Sequence, residues 1–322
     1  MNKSILLPLI FAFLIISCDK KSKTEKAIEA ISVEIKVNRF DKAFFKTAPN
    51  DLPQLKLKYP LFFPEGNEDA VWLEKMQNPQ WRELYGEVQK KYADFEPEKA
   101  EIETLFKHIK YYFPEATVPE VYTVIGDMDY RNKVIYSKGL LIICLELYLG
   151  KEHRFYEFPE YLKQNFTQDQ ILPDVVDSYF YGKIALPKDN TLLAQMIYTG
   201  KELYLKDLLL PEASDAVKMG YTPEQIAWSQ ENEPFIWSYF IEKQLLFDTD
   251  QKLNGRFISQ APFSKFYLEI DNESPGRVGA WIGWQIVRSF MINNEQVTLP
   301  QLLQMDAKEI FEKSKYKPKK NE

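Results

Sequence analysis

The chain predicts an α+β fold that is predominantly helical, with a small β-sheet placed ahead of a helical C-terminal half. Three observations carry this. Apolar residues recur at helical spacing in long runs, as in Ile102, Leu105, Phe106, Ile109 and Phe113. Segments of β character are confined to residues 118–145, bounded by proline and glycine. The stretch from Asp169 to Asp207 then reads as two helices joined by a short polar loop, and there the core is expected to assemble.

The N-terminus is read first. Lys3 gives a short positive start, and Ile5 to Ile16 is almost wholly apolar but too short to span a bilayer comfortably. Ile15, Ile16, Ser17 and Cys18 close it with a branched aliphatic three places before a cysteine and a small residue just before it. That is the pattern of a bacterial lipoprotein signal peptide. It predicts cleavage before Cys18 and lipidation of its thiol, each buried acyl CH₂ contributing roughly 0.8 kcal/mol to anchoring. Residues 1–17 are therefore expected to be the signal, 18–30 a polar, lysine-rich tether, and 31–322 one globular domain. The expected location is the cell envelope, on a membrane and facing the periplasm.

The charge is −6, and −7 once Lys3 leaves with the signal. A nucleic-acid partner would need a basic footprint, so none is expected. Aromatics at 15% supply a sizeable core. With Cys18 lipidated, Cys144 has no partner in the chain. Its apolar setting, Leu140 to Leu145, predicts a small buried hydrophobe.

Along the folded part, Ser32 to Val37 alternates, and Phe40, Phe44 and Phe45 suggest a short amphipathic helix. Residues 50–66 are interrupted by Pro53, Pro60 and Pro64 and read as extended or turning. Helices are expected over Trp72–Met76, Trp81–Tyr92 and Pro97–Phe113. Strands are expected over Val118–Ile125, Lys133–Ser137 and Leu140–Leu145. Pro173 opens the first central helix, and Val176, Phe180 and Ile184 share one face, with Gly182 marking an early end. Asn190 or Thr191 can cap the second, which runs through Leu192, Met196, Ile197 and Leu203. Thr222, Pro223 and Gln225 make a helix start, Asn254 to Pro262 a polar link, and Leu299 to Lys313 a final helix. Gly276, Gly279 and Gly283 fit close helix packing. Trp281 and Trp284 would crowd a phosphate there.

A small sheet followed by two helices is the plan of a zincin-like scaffold. There one helix presents two histidines a turn apart with a general-base glutamate, and a second helix adds a third ligand. Here the nearest register is Asp177, Ser178, Tyr179, Phe180 and Tyr181, without a histidine, and Ser178 stands at the glutamate position. On the second helix Thr199 replaces the expected carboxylate. The chain has only His108 and His153, so no metal or other cofactor is expected. A carboxylate-pair hydrolase is the next option, with Asp174, Asp177 and Glu202 as candidates. A serine triad lacks a suitable histidine base, and no P-loop is present.

Several longer runs carry a resemblance: the Cys18 lipobox, TLLAQMIYTGKELYLKDLLLP, YTPEQIAWSQENEPFIWSYFIEKQLLFDTD, APFSKF, SPGRVGAWIGWQIVRSFM and SKYKPKK. Together they resemble the gliding motility lipoprotein family GldB over essentially the whole mature chain. The resemblance implies a lipid-anchored envelope protein required for surface gliding, working with other gliding proteins and tied to type IX secretion. That family is also similar to predicted zinc peptidases whose catalytic histidines have been replaced, which the departures at Asp177, Ser178, Tyr181 and Thr199 fit. A non-enzyme acting as scaffold or adaptor is thus expected. An envelope hydrolase or a glycan-binding lipoprotein are the alternatives. A partner peptide is expected in the cleft between the first central helix and the sheet, by strand addition.

Overall fold

The structure is a computed structural model that describes residues 22–318. Cys18 and the signal segment lie outside them. The N-terminal part comprises α1 (Lys23–Glu29), β1 (Val37–Arg39), α2 (Phe40–Lys46), α3 (Leu52–Lys58), α4 (Asp69–Gln77), α5 (Pro79–Lys91) and α6 (Glu96–Tyr112). Two expectations change here. The lysine-rich stretch read as tether is already helical at Lys23, because Ser22 and Glu25 close a capping box and Ile28 is buried where α1 packs on α6. The proline-interrupted run forms α3 between two 3₁₀ turns, since Pro49, Pro53 and Pro60 all occupy first-turn positions that need no N–H.

The sheet adds β2 (Glu120–Val124), β3 (Val134–Ser137) and β4 (Leu140–Cys144) in the order β1-β2-β4-β3. Four strands form where three were expected. The extra one, β1, is only three half-buried residues long, too short to print an alternation. β1, β2 and β4 are parallel, and β3 runs antiparallel to β4 at the edge, with Val134 opposite Ile143 and Tyr136 opposite Leu141. Buried Asp41 ties β1, β2 and α5 together: it accepts from Arg39, from Thr123 Oγ1 at 2.6 Å and from Gln89 at 2.8 Å. Cys144 is buried, as its apolar setting requires.

The C-terminal half contains α7 (Glu160–Lys163), α8 (Ile171–Phe180), α9 (Leu192–Leu209), α10 (Asp215–Met219), α11 (Pro223–Glu231), α12 (Glu233–Glu242), α13 (Lys252–Phe257), α14 (Val278–Asn293), α15 (Leu299–Gln304) and α16 (Ala307–Ser314). The expected link at 254–262 begins inside α13. The expected final helix divides at Met305, because the Asp306 side chain caps a new start by accepting from the Lys308 N–H. α8 ends at Phe180, and Gly182 takes a left-handed turn with φ +73° that still leaves Ile184 buried.

α9 is the central element. Thr191 caps it by accepting from the Ala194 N–H, and residues around its whole circumference are buried. It crosses α14 with backbone set against backbone. A Cβ on Gly283 would lie 1.8 Å from Met196 O, and one on Gly200 2.3 Å from Gly283 O. The glycines therefore serve backbone-to-backbone approach, flanked by the fully buried Trp281 and Trp284. No described helix is long and apolar enough to cross a membrane.

Candidate functional site

α8 and α9 each turn a polar face toward one cleft of about 850 Å³, walled on its other sides by β3, α10 and the backbone before α14. On α8 the polar positions are Asp174, Asp177 and Ser178, with Tyr181 just beyond, spaced three or four apart and so on one face. On α9 they are Thr199, Glu202 and Lys206, again one turn apart. The four positions singled out by the zincin-like register, Asp177, Ser178, Tyr181 and Thr199, thus share a cleft with both further acids, Asp174 and Glu202.

Each of these groups has a defined setting. Asp177 Oδ2 accepts from Lys206 Nζ at 2.7 Å, and Lys206 also donates to Lys218 O at 3.3 Å. Asp174 Oδ2 accepts from the Tyr148 hydroxyl at 2.7 Å and pairs with Lys133 at 2.5 Å. Ser178 Oγ accepts the Tyr136 N–H at 2.7 Å, so α8 covers the edge of β3 at that point. Strand addition across Tyr136, allowed by the sequence, is closed off there because the amide already has its partner. Thr199 is buried, whereas Tyr181 is 87% exposed at the cleft mouth.

Glu202 differs from the rest. Its carboxyl has no hydrogen-bond or ion-pair partner among the described residues, although it lines the cleft. Burial pushes it up to about 7, Asp177 adds to the rise, and Lys206 and Arg277 oppose it. Arg277 precedes α14 in a left-handed conformation, φ 68°, and donates to Met219 O at 2.9 Å. The wall formed by α10 is fixed by an ionic knot: Arg288 bonds bidentately to both Asp207 and Asp215, and Lys218 reaches Asp207 at 3.2 Å.

The sequence pointed to the acids of this cleft but missed its cations, Arg131, Lys133, Lys206, Lys218 and Arg277. Only Lys206 left a trace, four residues after Glu202 on the same helical face. The others come from distant segments. The two histidines do not line the cleft. His108 packs its Nδ1 3.1 Å from Leu208 O, and His153 lies 3.8 Å from Glu87. Burial lowers the pKa of both. Among the described residues no group of three or more His, Cys, Asp or Glu is placed to hold a metal ion. The glycines of the 276–283 stretch serve packing: a Cβ on Gly276 would meet Ala261 O at 2.2 Å, and one on Gly279 would meet Phe257 O at 3.0 Å.

No curated protein and no solved structure matches this chain. A family model does, however, and it spans α1, the sheet, the cleft and the C-terminal helices alike. The match is to the gliding motility protein GldB over residues 21–318, and the chain belongs to that family.

Proposed function

We propose that this protein is a lipid-anchored, non-catalytic component of the gliding machinery, linked to type IX secretion, and that its cleft is a binding surface on a vestigial zincin-like scaffold. Family membership supplies the process. The observation that carries the non-catalytic reading is the occupation of the two key α8 positions. Asp177 Oδ2 is already paired with Lys206, and Ser178 Oγ already accepts the Tyr136 N–H, which holds both side chains in structural roles. Thr199 and Tyr181 bring no nitrogen or carboxylate ligand to replace them. The anchor rests on the lipobox at Cys18, placing the folded body in the envelope and facing the periplasm.

Deletion of the gene is expected to abolish colony spreading, and Cys18→Ala to shift the protein from the membrane to the soluble fraction. Normal spreading in the deletion strain would remove the motility role. A second reading, envelope hydrolysis, is favoured by one feature: an ion-paired Asp177 beside a Glu202 held near neutral protonation resembles a base and acid pair. Purified protein that turned over peptide or glycan, with loss on Glu202→Gln, would establish that reading instead. Stoichiometric zinc together with peptide turnover would do the same for a peptidase.

A further inference from the structure

The cleft carries a surplus of cations. Arg131, Lys133, Lys206, Lys218 and Arg277 line it, against Asp174, Asp177 and Glu202. Ion pairing accounts for the lysines: Lys133 meets Asp174, Lys206 meets Asp177, and Lys218 meets Asp207 of the ionic knot. The two arginines make no ion pair among the described residues. Arg131 lies 5.6 Å from the centre of the Tyr130 ring, and its neighbour Asp129 accepts instead from the Arg131 backbone N–H and from Asn132. Arg277 gives one side-chain donor to Met219 O. A guanidinium has five, so most of its fork is uncommitted. A cationic cleft in a chain whose net charge is −6 attracts anions.

The backbone at Arg277 points the same way. Its φ of 68° is a left-handed setting that costs a residue with a side chain about 1 kcal/mol or more. Strain of this kind gathers at ligand clamps, where a side chain must be held in one place.

Charge leaves the kind of anion open, and the rest of the lining narrows it. Asn165 and Gln260 keep side-chain amides without a hydrogen-bond partner among the described residues, and Tyr130 and Tyr181 offer rings. The aliphatic share is small: Val134, Ile135, Met219 and Ile258. A docked peptide wants apolar pockets or an open strand edge, and α8 covers β3 where Ser178 takes the Tyr136 N–H. A lone phosphate would leave most of the 850 Å³ unfilled. Amides that pair with hydroxyls and rings that lie against a sugar face suit a saccharide. The volume is also that of a small-molecule site, roughly 300–1,000 Å³.

Resting on the reading of the cleft as a binding surface, we propose that its ligand is an acidic saccharide, a chain of uronic acids whose carboxylates are held by Arg277 and Arg131. Half-buried Glu202 tunes the site. The groups facing it are Asp177 from α8, Tyr198 and Lys206 from α9, and Arg277 before α14. Lys206 is already committed to Asp177. Protonated, Glu202 can donate to a bound carboxylate; ionised, it repels one. Burial pushes its carboxyl up to about 7, so uronate binding strengthens as pH falls through that value.

The test uses the full chain in detergent and calorimetry with trigalacturonate, trimannuronate and the methyl ester of each. One or both uronates are expected to bind at least about tenfold tighter than their esters, the ratio given by one charge-assisted hydrogen bond. Binding is expected to tighten roughly fivefold from pH 8 to pH 6, where the uronate stays ionised and Glu202 gains its proton. Arg277→Gly relaxes the left-handed backbone, so it is expected to keep the fold, read by its urea midpoint, while removing the preference over the ester. Arg131→Gln, at an exposed position, is expected to weaken binding about threefold. Equal binding of acid and ester, a preference that survives Arg277→Gly, or weaker binding at pH 6 than at pH 8 would each overturn the proposal. Inorganic phosphate, or acetyl-pentaalanine with a free C-terminal carboxylate, binding as tightly as the uronates would leave the cleft a binding surface and overturn the saccharide. Failure of every probe would overturn the ligand and count against the binding surface together. None of these results bears on the deletion phenotype, so failure here and failure of the motility role are separately visible.

Discussion

Replacing Gly283 by alanine tests the organisation of the whole C-terminal half. In an ordinary exposed helix this change stabilises by roughly 0.5–1 kcal/mol, because glycine loses more backbone freedom on folding. At Gly283 the added Cβ would sit 1.8 Å from Met196 O, 2.3 Å from Met196 C and 3.0 Å from Met196 Cα. All three are backbone atoms of α9, so no side chain can swing aside. The oxygen is more than 1 Å inside the closest separation that real Cβ atoms show, and α9 and α14 must move apart by a comparable distance. Overpacking of this kind costs about 1–3 kcal/mol and sometimes more. Separation also loosens the packing of Trp281, Ile282, Trp284 and Ile286, all of them buried. The expected net loss is about 3 kcal/mol, or roughly a 6 °C fall in midpoint for a chain of this size. Gly86→Ala in α5 is the matched control, since nothing lies within 4 Å of its added Cβ. It is expected to gain about 0.5–1 kcal/mol. Urea titration followed by tryptophan fluorescence reads both. The close-approach argument fails if the two variants shift stability in the same direction, or if Gly283→Ala lies within about 1 kcal/mol of the parent.

Three further outcomes are expected. Arg288→Met strands the carboxylates of Asp207 and Asp215 and is expected to cost about 2 kcal/mol in urea unfolding, less than a fully buried pair because the cluster is partly open to solvent; Arg288→Lys should restore little, since one ammonium cannot make four directed bonds. Ser178→Ala leaves the Tyr136 N–H unpaired and is expected to lose about 1–2 kcal/mol, with faster hydrogen exchange at that amide; unchanged exchange would contradict the cover of β3 by α8. Glu146 is fully buried, and burial pushes its carboxyl up to about 7, against the pull of nearby backbone N–H groups and Lys75. Its folded form therefore holds a proton that the unfolded chain releases near 4.3, so stability falls as pH rises from there to about 7. Glu146→Gln removes this dependence and is expected to gain on the parent by up to about 3 kcal/mol between pH 5 and 8, and a constant difference across that range would show the carboxyl to be ionised throughout.

Much of the architecture was legible in the chain. The stripe on α6, the three longer strands and the Thr191 and Thr222 caps follow from local spacing and hydrogen-bonding chemistry, which act over a few residues. Local signals misled where they were short or double-edged. Pro53 and Pro60 read as breakers but sit in first turns, and the three residues of β1 are fewer than a pattern needs. A polar stretch such as Lys23–Glu29 looks solvated until one isoleucine finds α6.

The sequence by itself determined that this is a mostly helical α+β protein with a leading lipobox, glycines suited to close helix contact, and α8 and α9 each carrying a polar face. Only the tertiary structure decided that those two faces meet across one cleft. It also decided that Lys133, Lys206 and Lys218 neutralise their neighbours there and that Glu202 is left over. Charge pairing across 29 residues in one case, Asp177 with Lys206, and 41 in another, Lys133 with Asp174, depends on how helices pack. Packing is set by the summed shape of many buried side chains, and that sum is written in no single stretch of the chain.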